Sequence, residues 1–181
     1  MKATRFAICG ALMLLLSSFA QAQSEAKKTF TDMKTLAGEW EGPVKILPEG
    51  AMGAPGNPVL HLSMRVTSRG NAIVHEFQEA GTPLDPTKYD HPVTMIYVDG
   101  DKLNLVHYCD AGNRPHMIAQ PSADGKSVEF AFADLSGGNQ RGHMDHAVFT
   151  FIDNDHHIED WTYMMPGDKA MHAHFDLHRV K

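Results

Sequence analysis

The segment Leu105 to Met117, LVHYCDAGNRPHM, sets a histidine two residues before a cysteine. In an extended strand, residues two apart share a face. Leu103, Leu105, His107 and Cys109 then line one side, and Asn104, Val106 and Tyr108 the other. Two leucines running into an imidazole and a thiol describe an inward face that turns polar at the strand end, where the ligand cavity of a barrel opens. His107, Tyr108 and Cys109 are therefore candidate ligand-binding residues. The plainer reading is a core imidazole hydrogen-bonded to a neighbour beside a packed thiol, since free cysteine is among the most buried residue types.

The stretch MHAHFDLH alternates His172, His174, Asp176 and His178 with Met171, Ala173, Phe175 and Leu177. The apolar row is the better core face, which turns the histidines to solvent. If a polar cavity reverses that assignment, His172 and His174 put two imidazoles on one side. His107, Cys109 or His146 from a neighbouring strand would then complete a zinc-type site. In RGHMDHAVF, His143 and Asp145 share one side of a regular strand and Met144 and His146 the other. An Asp-His pair can orient an imidazole for ligation or base catalysis. In HIEDWTYMM, His157, Glu159, Trp161 and Tyr163 share a face, where the two aromatic residues either line a pocket or pack in a core. The chain holds 12 histidines, which raises zinc or haem as a cofactor. It has no CxxC or HExxH motif, no Gly-x-Ser-x-Gly elbow, no phosphate loop and no dinucleotide fingerprint. No catalytic residue is assigned, and binding is favoured over catalysis.

These residues need elements to position them. Phe30, Met33 and Leu36 fall at helical spacing within Ser24 to Leu36, and Gly38 can end that helix. From Trp40 the apolar period drops to two. The run VLHLSMRVTS places Leu60, Leu62, Met64 and Val66 on one face, and PEGAMGAPGN at 48–57 reads as a loop. Further short runs follow, divided by turn signals that include Asp99-Gly100 and Asp124-Gly125. A series of about ten strands with mostly short connections predicts an antiparallel meander, either sandwich or barrel.

The first residues, MKATRFAICGALMLLLSSFAQA, carry Lys2 and Arg5, an apolar run from Phe6 to Leu16, and Ala20-Gln21-Ala22. That is the pattern of a secretory signal peptide, and the apolar run is short for a membrane span. The expectation is a signal peptide over 1–22, cleaved after Ala22, and a single domain over 23–181, periplasmic or secreted. Cleavage would leave 159 of the 181 residues, enough for one real core. Loss of Lys2 and Arg5 takes the formal net charge from −6 to about −8. An acidic chain without a basic cluster argues against nucleic acid or an anionic membrane as partner. Cys9 leaves with the signal, so Cys109 has no partner within the chain. That implies burial, a ligand role or intermolecular pairing.

The helix followed by LAGEWEG, with Gly38-x-Trp40, resembles the opening of lipocalin-like (calycin) barrels. The resemblance implies an all-β, antiparallel up-and-down β-barrel whose base is closed by a short N-terminal helix. It also implies that Trp40 packs there against a basic residue of the last strand, which Arg179 matches. The chain after about Phe30 is similar to a set of exported bacterial proteins of unknown function. The similarity is carried by the Gly-x-Trp start, by His107-Tyr108-Cys109 with Gly112-Asn113-Arg114-Pro115, and by Asp160-Trp161. Within the wider group, nitrobindin-type barrels hold haem through a histidine near the C-terminal strands. Of that group's N-terminal glycine pattern only Gly38, Trp40 and Gly42 match.

The first expectation is an exported barrel that binds a small hydrophobic or amphipathic molecule near His107, Tyr108, Cys109, His146, Trp161 and His174. The rival is a metal- or haem-binding protein, or a weak enzyme, using His107, Cys109, His172 and His174. The third is an interaction module with a filled core. Register decides among them, because a slip of one residue exchanges the two rows of a strand.

Overall fold

The computed structural model describes residues 25–50 and 58–180. The expected signal peptide at 1–22 lies outside the described residues, as does most of the 48–57 loop. A helix, α1, covers 25–33, and a 3-10 turn follows at Lys34–Leu36. Ten strands come next among the described residues: β1 Gly38–Leu47, β2 Val59–Thr67, β3 Ala72–Glu79, β4 Val93–Asp99, β5 Lys102–Tyr108, β6 Arg114–Pro121, β7 Ser127–Ser136, β8 His143–Asp153, β9 His156–Met165 and β10 Lys169–Arg179. Each pairs antiparallel with its neighbours in sequence, and β1 closes the ring on β10. The expected antiparallel up-and-down barrel with a short N-terminal helix is the fold observed. Closure leaves no unpaired sheet edge.

One row of each strand turns inward and supplies the core. Trp40 and Val44 of β1, Leu62 and Met64 of β2, Ile73 and Phe77 of β3, Phe149 of β8 and Phe175 and Leu177 of β10 are all buried. Ala26, Phe30 and Met33 stand at helical spacing on α1, and with Leu36 they join the same core. They close the barrel end where β1 begins and β10 ends. Val66 departs from its expected row. It is 41 % exposed, because β2 runs out of core one residue before its end at Thr67. The regular alternation expected around His143 also fails, since the β8–β9 register shifts between Met144 and His146.

The closed end is tied together by Trp40 and Arg179. The indole Nε1 of Trp40 donates to the Leu36 carbonyl at 2.8 Å, and the Arg179 guanidinium lies over the Trp40 ring, 4.0 Å from its centroid. The same guanidinium donates to the carbonyls of Ala37 at 2.9 Å and Thr35 at 3.1 Å, satisfying groups that the 3-10 turn leaves open. This explains the glycine of Gly-x-Trp. Gly38 has φ +145°, and a Cβ there would strike Arg179 Nη1. Gly38→Ala should lower unfolding free energy by about 1–3 kcal/mol through backbone strain and loss of that cap. Urea denaturation checks it, and an unchanged midpoint would rule the account out.

Candidate functional site

Burial along the inward rows is uneven, and the unevenness marks a mouth. Near α1 the rows are sealed: Trp40, Leu62, Phe149, His157 and Leu177 are fully buried. Toward the other end the inward residues become half-buried, as at Ile46, Leu60, Met144, Tyr163 and Ala173. Just below this rim lie Phe77, Trp161 and Phe175, with Phe77 stacked on Phe175 at 4.8 Å and edge-on to Trp161 at 6.2 Å. They form an aromatic floor.

Under and beside that floor sits a buried polar cluster. Glu159 lies on the inward row of β9 between His157 and Trp161, and it has no solvent exposure. Three donors reach its carboxylate. His75 Nε2 of β3 lies 3.0 Å from Oε2, His157 Nε2 lies 3.0 Å from Oε1, and Trp161 Nε1 donates to Oε2 at 2.8 Å. Burial alone would raise this carboxyl. The electrostatic pull of nearby His75 and the hydrogen bonds from His157 and His75 outweigh it and hold the group down at about 2. Buried charge survives only with such partners.

His107 stands at the top of β5, 2 % exposed, with its ring 5.6 Å from that of Trp161. Its Nδ1 pairs with Thr94 Oγ1 at 2.9 Å. Burial, assisted by His75, pushes its pKa down to about 3. The ring is therefore neutral at ordinary pH. Its Nε2 is buried with no hydrogen-bond partner among the described residues, as are Nδ1 of His75 and Nδ1 of His157. Buried polar atoms are nearly always satisfied by protein or ordered water, so three such nitrogens mark polar positions in this interior that a bound molecule or water can satisfy.

The other sequence candidates fall elsewhere. Tyr108 is 44 % exposed and points away from the core. Cys109 lies one residue beyond the end of β5 and is half-buried, so the strand alternation that would have paired it with His107 stops short of it. Burial and the charges of Asp90 and Asp110 push its thiol pKa up, which makes it a quiet thiol rather than a nucleophile. His146 is on the outer wall, bonded to Glu129 at 2.8 Å. His172 pairs with Thr162 at 3.0 Å and His174 with Asp160 at 2.7 Å, also outside. His107, Cys109, His172 and His174 thus do not converge, and the four-residue metal set is corrected. His172, His174 and Trp161 do share the lining of a recess of about 430 Å³ on the β1–β10–β9 wall. Sequence reasoning passed over His75. Its only signal was a histidine on the apolar row between Ile73 and Phe77.

The fold is a closed barrel of ten antiparallel strands with a helix at one end, and a calycin-like barrel fits that description. No family model matches the chain, and no curated protein matches it in sequence. Among solved structures it is similar to Rv2717c from M. tuberculosis, with a TM-score of 0.61 and 13% identity over 84% of this chain and 98% of that one. It is also similar to a protein with unknown function from the DUF3598 family, NPUN_R4044 of Nostoc punctiforme PCC 73102. There the TM-score is 0.52 at 11% identity, over 81% of this chain and 48% of that one, so this chain spans about half of that protein's length. At such identities the likeness is one of fold alone.

Proposed function

We propose that this chain is an exported, lipocalin-like barrel that binds a small amphipathic molecule through the end opposite α1. The observation that carries the reading is the buried Nε2 of His107, without a hydrogen-bond partner among the described residues, beside an aromatic floor. A ligand's apolar body would lie on Phe77, Trp161 and Phe175, and its polar group would reach His107, with the Nδ1 of His75 deeper in the barrel. Mostly apolar walls with a few convergent polar groups are the usual chemistry of such sites. Export rests on the n-region, apolar run and Ala20-Gln21-Ala22 of the first residues.

The test is titration of the untagged protein with the amphipathic fluorophore anilinonaphthalene sulfonate, with circular dichroism to show that every variant is folded. Saturable one-to-one binding is expected, weakened on the order of tenfold, about 1.4 kcal/mol, by His107→Leu. Folded protein that binds none of the probe, or a His107→Leu variant that binds it unchanged, refutes the site. One observation favours a second reading. With Nδ1 engaged by Thr94 and the ring kept neutral, the Nε2 of His107 is free to ligate a haem iron or a metal. Haemin titration separates the two readings, because only the second yields a saturable shift and sharpening of the haemin Soret band that His107→Leu abolishes.

A further inference from the structure

The outer wall carries many of the histidines, and several of them pair with a single oxygen on the next strand: His146 with Glu129, His172 with Thr162, His174 with Asp160. Such single pairs are ordinary cross-strand contacts. One group differs. At the β9–β10 pairing His156 faces His178 in register. Asp176 stands two residues from His178 and therefore on the same face. The Nε2 atoms of both imidazoles aim at one carboxylate oxygen, Asp176 Oδ1, at 2.7 Å from His156 and 3.5 Å from His178. The two rings stack at 4.3 Å with 20° between their planes.

We propose that His156, Asp176 and His178 form a binding site for a divalent transition-metal ion such as zinc. The three donor atoms lie within 4.8 Å of one another. Small rotations of these side chains would bring them to the bond lengths of about 2.0–2.2 Å that zinc takes from nitrogen and oxygen. Hydrogen bonding does not account for the arrangement as well. The 2.7 Å contact satisfies His156, but 3.5 Å is too long to be a good bond for His178. Stacking would also be unfavourable for two protonated rings, whereas two neutral rings with their lone pairs on one cation remove both difficulties. The donor set of two imidazoles and a carboxylate suits zinc, copper or nickel rather than calcium or magnesium.

The surroundings fit an open site. The side chains of His156, Asp176 and His178 are 25%, 46% and 62% exposed, so a cation can enter from solvent and water can complete the shell. Glu41 of β1 is the register partner of His178, which places a further carboxylate beside the site. The backbone is fixed there, since a Cβ on Gly42 would run into the Asp176 carbonyl. The position of Asp176 is thus set by close approach of β1 and β10. This site is on the outer wall and does not depend on the interior one.

The experiment is calorimetric titration of the untagged, chelator-stripped protein with zinc chloride near neutral pH. One site is expected, with affinity falling on the order of tenfold or more in His178→Ala and in His156→Ala. His116→Ala, at a ring whose two nitrogens are taken by Asp134 and Asn104, should bind as wild type. Acidification should release the ion, because protonated imidazoles do not ligate. All these side chains are on the outer wall and none is fully buried, so circular dichroism should show every variant folded. Absence of zinc binding, or binding undiminished in the His156→Ala/His178→Ala double variant, overturns the proposal.

Discussion

Glu159→Ala should destabilise the barrel by about 3–5 kcal/mol, the range found when one partner of a buried charged network is removed. The mutation deletes the single acceptor on which His75, His157 and Trp161 converge. It strands three buried donors at once, each with a desolvation cost of about 1–3 kcal/mol if left unpaired. It also opens a void where packing had none. For a chain of this size the melting temperature should fall by roughly 10 °C or more. Glu159→Gln keeps one acceptor oxygen but turns an amide N–H₂ toward a donor, so it should fall between wild type and Ala. Urea denaturation followed by circular dichroism gives the ranking. A Glu159→Ala variant within 1 kcal/mol of wild type, as an order-of-magnitude threshold, would mean the carboxylate is not held as described.

That network shows where a sequence can and cannot be read. Alternation puts Leu105 and His107 on one row, and His157, Glu159 and Trp161 on another, and both rows face the interior. It also offers the outward placement of His172 and His174 as the plainer reading. Period-two logic succeeds there because ordinary strands of a closed barrel have one dry face and one wet face. It fails where the strand itself is irregular. The β8–β9 register shift at Met144/His146 breaks the side assignment of Asp145 and His146. β5 ends at Tyr108, so nothing compels Cys109 to follow His107 inward.

The cluster's membership was hidden for another reason. His75 and Glu159 are 84 residues apart, and β3 and β9 are not neighbours in the ring. Their contact runs across the barrel interior. No local periodicity encodes a pair that meets across a lumen, and only closure of the ring brings them together. A count of 12 histidines likewise cannot be divided by sequence into outer-wall pairs and interior rings. The division comes from register, and the chemistry differs on each side. Outside, imidazoles meet carboxylates in water. Inside, they meet aromatic rings and one carboxylate in a dry core.

The interior placement of His107 has a consequence that acid should expose. In the unfolded chain a histidine takes up a proton near its ordinary value of 6.5, whereas folded His107 resists until about 3. Between those values the unfolded state binds more protons than the native state, so unfolding free energy falls as pH falls. The stabilisation is fully present above about 6.5 and is lost progressively toward 3. From about pH 7.5 to pH 5 the expected loss from this one ring is about 2 kcal/mol. Glu159 works in a lower window. Its carboxyl is held at about 2 against an ordinary 4.5, so its contribution is intact above 4.5 and is lost progressively as pH falls toward about 2. Above about pH 4.5 the effect of His107 is therefore separable from that of Glu159. His107→Gln removes the upper window and leaves the lower one. The difference in unfolding free energy between wild type and His107→Gln should shrink by about 2 kcal/mol between about pH 7.5 and pH 5, measured by urea denaturation at matched ionic strength. Parallel curves for the two proteins over that range would show that His107 takes up its proton as readily folded as unfolded. A ring that accessible could not be the buried, neutral nitrogen on which the binding site is built.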